Sequence, residues 1–187
     1  MENVITPKFR VSYPQVFRPK LNDLNGKQEY SLVAIFAPGT DKSLLNAQIH
    51  AAAEEKWGAD KSKWPANLRS PIRPNEERMK DGKLPDGYEA GGFFINLKSA
   101  HKPGVVDANV QPIIDESDFY PGCYAIAQVR AYAYDNKGNR GVSFGLQNIQ
   151  KAGEGDPLSG RQRAEDAFKP VAGATAGTGA KADDPFA

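Results

Sequence analysis

The chain has 187 residues, of which 40% are hydrophobic, with 24 Lys and Arg against 23 Asp and Glu, two His and one Cys. This length fits one domain with appendages, and the apolar fraction suffices for a core. The net charge of +1 excludes the strongly basic balance of a dedicated duplex binder, one cysteine excludes a disulfide scaffold, and two histidines with one cysteine form no zinc pattern.

In chain order, "KFRVSYPQVF" (residues 8–17) is rich in β-branched and aromatic residues and reads as a strand broken near Pro14. "LNDLNGKQ" reads as a turn. "EYSLVAIFA" (29–37) is a nearly continuous apolar run, too short for a helix before Pro38-Gly39, and therefore a buried strand. The period then changes: Leu45, Ile49, Ala53 and Trp57 recur every four residues, with Asp41 placed to cap the start and Gly58 the end of a helix. From Ala59 to Gly92 prolines and glycines break every candidate element, and connections this long are usually functional or mobile. "FFINLKS" (93–99) is a further strand. The prolines at 103, 112 and 121 leave room for a short strand or two. "CYAIAQVRAYAY" and "RGVSFGLQNIQ" flank "DNKGN", turn chemistry between two period-2 runs, which is a β-hairpin.

Five or so strands, one helix and long loops predict a mainly β chain. The OB-fold, a five-stranded Greek-key barrel, is the economical architecture, although pattern alone does not separate it from a sandwich. The expected organisation is a body over residues 1–151 and a flexible, acidic C-terminal tail over 152–187. Up to Lys151 there are 20 basic against 17 acidic residues; beyond it there are 4 against 6. Cys123, at the mouth of an apolar strand, reads as a small buried thiol. No run approaches the roughly 18 to 20 apolar residues of a membrane span, and "MENVITPKFR" lacks the apolar core of a signal peptide, so a cytoplasmic location is expected.

Alternation divides "YAIAQVRAYAY" into two faces. Ala125, Ala127, Val129, Ala131 and Ala133 suit the interior of a tightly curved barrel. Tyr124, Ile126, Gln128, Arg130, Tyr132 and Tyr134 would then stand outside as flat rings beside a cation, which is a stacking platform for bases. The reverse arrangement, tyrosines packed inward, is equally compatible with the alternation. Arg130 discriminates, since a buried arginine there would need a partner. Arg10, Arg18, Lys98, Lys102 and Arg140, with Tyr13, could extend the surface.

Chemistry for catalysis is sparse. There is no phosphate-cradling G-x-x-x-x-G-K motif and no nucleophile elbow. Adjacent acids at Glu54-Glu55, Glu76-Glu77, Asp115-Glu116 and Asp183-Asp184 read as solvated faces, with a Mg²⁺-dependent nuclease as an alternative. A binding protein without cofactor or metal is expected.

The tail joins a Gly/Ala-rich lead to "DDPFA". Asp183 and Asp184 offer charge to a basic rim, and Pro185 restrains the chain so that Phe186 can enter an apolar pocket, which makes a docking peptide. This ending resembles the acidic, Pro-Phe-containing tails of bacterial single-stranded DNA-binding proteins and the acidic, aromatic-ended tails of T7-like helix-destabilising proteins, with the difference that Ala187 follows the phenylalanine. The body, through "RVSYPQVFRPK", "YSLVAIF", "INLKSAHKPGVVD" and "GVSFGLQNIQKAGEGDPL", resembles a family of phage-encoded OB-fold proteins that bind single-stranded DNA. The resemblance implies a sequence-independent protein that coats exposed strands during phage replication, recombination or repair and recruits replication or recombination partners through its tail. A strand-annealing mediator on the same fold, and a structural phage protein, are the other readings.

Overall fold

The computed structural model describes residues 2–23, 26–158 and 169. Its strands are β1 (Val4–Ile5), β2 (Phe9–Asn22), β3 (Lys27–Phe36), β4 (Arg73–Pro74), β5 (Phe93–Ser99), β6 (Gly104–Val106), β7 (Tyr124–Asn136) and β8 (Asn139–Gly153), with one helix, α1 (Ser43–Trp57). Five of them close on themselves. β2 pairs with β3 and β3 with β5; β5 meets β8 in parallel at Lys98 and Gly145; β8 pairs with β7 along the hairpin; and β7 returns to β2 at Ala125 and Tyr124. The order first, second, third, fifth, fourth and back to first is the Greek-key closure of the predicted OB barrel. β1 adds to β7, and β6 adds to β8.

Period-2 alternation fills the barrel. Phe9 and Val11, Leu32, Ala34 and Phe36, Ile95 and Leu97, Val142, Phe144 and Leu146 all face the same core as Ala125, Ala127, Val129 and Ala131. The β7 alanines are needed because the opposed phenylalanines already occupy the space. α1 packs on this core through Leu45, Ala52 and Ala53, with Ile49 and Trp57 at its margin. The N-cap is Lys42, one residue beyond the predicted Asp41, with no side-chain cap; the Asp41 carboxylate instead accepts the Ser43 N–H at 2.9 Å in the turn leading in, and the Gly58 N–H closes the last turn on the Glu54 carbonyl. The hairpin turn is equally local: Lys137 and Gly138 both have positive φ, 50° and 86°, which matches the twist of the flanking strands.

The structure departs from the sequence reading in three places. Pro14 bulges β2 without ending it: the register slips between Ser12 and Gln15, and Tyr13 takes a φ of 46°. The strand then resumes, so Leu21, Asn22, Lys27 and Gln28, read as a turn, are paired residues.

The 59–92 connection is held in place by short elements. Arg69 donates its N–H to the Arg140 carbonyl and accepts from the Val142 N–H, laying the chain along β8. β4 pairs with β5 at Phe93 and Phe94. Asn75, fully buried, donates its side-chain amide to the Glu89 carbonyl at 2.9 Å. This strap covers the outside of the sheet, where Ile35, Tyr88 and Phe94 form a second apolar cluster with Val33, Leu84 and Leu158. That cover is why the β3 run is apolar on both of its faces.

The body also continues beyond Lys151. β8 runs to Gly153, the Tyr120 hydroxyl engages Glu154 and the Gly155 carbonyl, and the Leu158 N–H donates to the Pro121 carbonyl at 3.0 Å. Ordering there is stabilised by Leu158 entering the second cluster. The predicted docking peptide, Asp183, Asp184, Pro185 and Phe186, lies outside the described residues.

Cys123 is fully buried, and burial pushes its thiol up to about 11. An unfolded thiol ionises near 9.0, so unfolding releases a proton above that pH and the thiol's contribution to stability is lost as pH rises from 9 towards 11. Urea unfolding across this range should show the wild type losing roughly 2 kcal/mol more than Cys123→Ala.

Candidate nucleic-acid interface

Closing the barrel with alanines inward turns the alternate residues of β7 outward. Ala125, Ala127 and Ala131 are buried, whereas Arg130 is exposed, Tyr132 is 48% exposed and Tyr134 is half-buried. The register builds rows across the neighbouring strands. Tyr134 lies opposite Gly141, which is bridged in turn to Arg69 of the strap. Tyr132 lies opposite Ser143, and Arg130 opposite Gly145, whose other neighbour is Lys98.

The outer side of β8 is therefore low, with Gly141, Ser143 and Gly145 in succession. Tyrosines and Arg130 stand along one flank; Arg69, Asn96 and Lys98 stand along the other. At its upper part this becomes a groove of about 500 Å³ lined by Arg69, Ile72, Arg73, Asn96, Tyr134 and Ser143 among others. Over Gly141 the two flanks converge: a Cβ there would meet the Arg69 Cβ and the Tyr134 hydroxyl, each at 2.9 Å. Arg130 and Tyr132 line a separate groove of about 380 Å³ with Ala52, Glu55 and Lys56 of α1.

Charge in the trough is set by pairing. Arg73 is held by the Glu77 carboxylate and lies over the Phe94 ring at 5.1 Å. Arg78 sits over the same ring at 4.6 Å. Lys98 pairs with Glu29 at 3.4 Å, and Arg140 with Asp135 at 2.7 Å. Arg69 and Arg130 have no carboxylate partner among the described residues. Also among the described residues, no three His, Cys, Asp or Glu side chains converge as a metal would require.

Of the residues singled out from sequence, Arg130, Tyr132, Tyr134 and Lys98 share this face, with Arg140 at its hairpin end. The others lie elsewhere. Arg10, opposite Tyr124, is six residues from Arg130 along β7, about 20 Å, and its guanidinium donates to the Gly122 and Asp156 carbonyls. Tyr13, 71% exposed, lines a separate groove of about 370 Å³ with Tyr88, Pro121 and Leu158. Arg18 pairs with Glu116 at 3.2 Å, and Lys102 is exposed in the turn after β5. Arg69, Arg73 and Asn96 were not anticipated. The segment "LRSPIRPNEER" carries the cations, but nothing local shows that it folds against β8.

The model of the Enterobacter phage Enc34 single-stranded DNA-binding protein family matches residues 2–182. The chain belongs to this family. A protein designated p50, from Acyrthosiphon pisum secondary endosymbiont phage 1, is 31% identical over 160 residues, covering 81% of this chain and 83% of that protein. Among solved structures, the bacteriophage Enc34 single-stranded DNA-binding protein in complex with ssDNA superposes with a TM-score of 0.65 at 17% identity, over 83% of this chain and 88% of that one. The bacteriophage T7 single-stranded DNA-binding protein gp2.5 gives a TM-score of 0.58 at 14% identity, over 87% of this chain and 98% of that one. These similarities extend the barrel assignment to a shared architecture. No described helix is long and apolar enough to cross a membrane.

Gly141 is the joint at which strap, β8 and Tyr134 meet. A Cβ at this position would stand 2.5 Å from the Arg69 carbonyl oxygen and 2.9 Å from the Tyr134 hydroxyl. Gly141→Val should therefore lift the strap, lower stability by about 1–3 kcal/mol in denaturant titration, and raise amide exchange at Arg69 and Val142 ahead of the barrel core.

Proposed function

We propose that this protein binds single-stranded DNA with little sequence preference, along the outer face of β8. Bases stack on Tyr132 and Tyr134, and Arg130 meets the sugar-phosphate backbone. The observation that carries the reading is an exposed tyrosine next to an arginine with no carboxylate partner among the described residues, on the outward face of β7, in a member of the Enc34 family. Aromatic rings accept any base, so the stacking contribution, about 1–3 kcal/mol per base, brings no sequence readout. Phosphate contacts add a salt-dependent term through counterion release. The role is binding and not catalysis.

Fluorescence titration with oligo-dT and with duplex of equal length, at two salt concentrations, tests this. Oligo-dT should bind more tightly than duplex and weaken as salt rises. Tyr132→Ala should weaken oligo-dT binding by about 5- to 150-fold, the equivalent of one lost stack. An unchanged affinity would place the strand elsewhere, and a wild type that ignores oligo-dT in dilute buffer would refute the function itself.

The finer reading is a strand-coating role in phage replication, recombination or repair, within the host cytoplasm. Asp183, Asp184, Pro185 and Phe186 then recruit partner proteins of those processes. Support comes from the charge distribution: the acidic excess lies wholly beyond Lys151, while the basic excess lies before it. Removing residues 183–187 should leave oligo-dT affinity equal or higher while abolishing pull-down of replication or recombination proteins. Loss of DNA binding on truncation would overturn the assignment of the tail.

A further inference from the structure

The strap contributes a residue that the β7 platform does not explain. Arg69 belongs to no regular element, yet its backbone is fixed from both sides: its N–H donates to the Arg140 carbonyl at 3.0 Å, and its carbonyl accepts the Val142 N–H at 3.0 Å. Pro71 and Pro74 stiffen the chain that follows. Arg69 is exposed and lines the 500 Å³ groove together with Tyr134. Its neighbour Arg73 is neutralised by Glu77, and Lys98, farther down the same flank, is shared with Glu29. Arg69, with no carboxylate partner among the described residues, thus presents its charge on a rigid base beside the stacking surface.

We propose that Arg69 is the phosphate ligand on the strap side of the channel, binding a backbone phosphate of the strand whose bases stack on Tyr132 and Tyr134. This rests on the single-strand reading above and assigns the second wall of its site. The geometry suits the chemistry. An extended strand keeps bases on one side and phosphates on the other, and here Tyr134 and an arginine with no carboxylate partner among the described residues line one groove. Asn96 and Ser143, which line the same groove, are short and uncharged. The guanidinium fork suits the non-bridging oxygens of one phosphate.

The test is fluorescence anisotropy with the full chain and oligo-dT over a series of salt concentrations, for wild type, Arg69→Ala and Arg69→Lys. Arg69→Ala should weaken binding about tenfold and make the log–log salt slope shallower by about 0.7, the value for one phosphate on a single strand. Arg69→Lys should recover the slope. Oligo-dT carrying a neutral methylphosphonate at successive linkages should weaken wild-type binding at one position to which Arg69→Ala is indifferent. That measurement decides the matter even if the alanine variant is less stable. Wild-type-like affinity and slope in Arg69→Ala, with wild type binding normally, would overturn the assignment of Arg69 and leave the β7 platform standing. A slope in Arg69→Lys as shallow as in Arg69→Ala would point to base contact and also overturn it. A wild type that fails to bind oligo-dT would instead refute the underlying reading.

Discussion

The structure depends on the strict alternation of β7. A barrel of five strands has a narrow interior, and Phe9, Phe36 and Phe144 already fill much of it. Only small side chains fit between them, so Ala125, Ala127 and Ala131 go inward and every alternate residue is forced out. Slipping the strand by one residue would drive Arg130 and three tyrosines into the core. Core packing and the outward platform are thus one constraint seen from two sides, and the surface can carry polar aromatics without a separate stabilising feature.

The second organising feature is the strap. An OB barrel exposes the outer face of its second and third strands, and here that face is apolar, with Val33, Ile35 and Phe94. The 59–92 segment covers it, with Arg73 and Arg78 on the Phe94 ring and Asn75 tying the chain to its own end at Glu89. Covering one part of the sheet leaves the β5–β8–β7 part open, and the strap's edge becomes a wall of the remaining trough. A connection that looks like irregular chain thereby selects which face of the barrel is accessible.

Electrostatics sharpen the selection. The overall charge is close to zero because 24 Lys and Arg face 23 Asp and Glu, and several cations have carboxylate partners: Arg18 with Glu116, Arg73 with Glu77, Lys98 with Glu29, Arg140 with Asp135. Exposed pairs of this kind contribute little stability, on the order of 0–1 kcal/mol, but they remove charge from the surface. Among the described residues, Arg130 and Arg69 stand beside the tyrosines without a carboxylate partner, and a near-neutral chain can still present a local cationic lane.

The sequence by itself determined what rests on near neighbours. The helix from Leu45 to Trp57 with Asp41 and Gly58 at its ends, the hairpin about Lys137 and Gly138, the buried thiol of Cys123, and the two faces of β7 all follow from periodicity, capping and turn chemistry within a few residues. Tertiary structure alone decided the matters that depend on distant pairing. The bulge at Tyr13 carries that ring away from Tyr132, Arg10 is drawn to carbonyls more than a hundred residues later, and Arg69 reaches Gly141 only because the barrel closes β8 beside β5. A residue's partner in three dimensions has no local signature when the chain between is long and aperiodic, and it is the partner that decides whether a cation is spent or free.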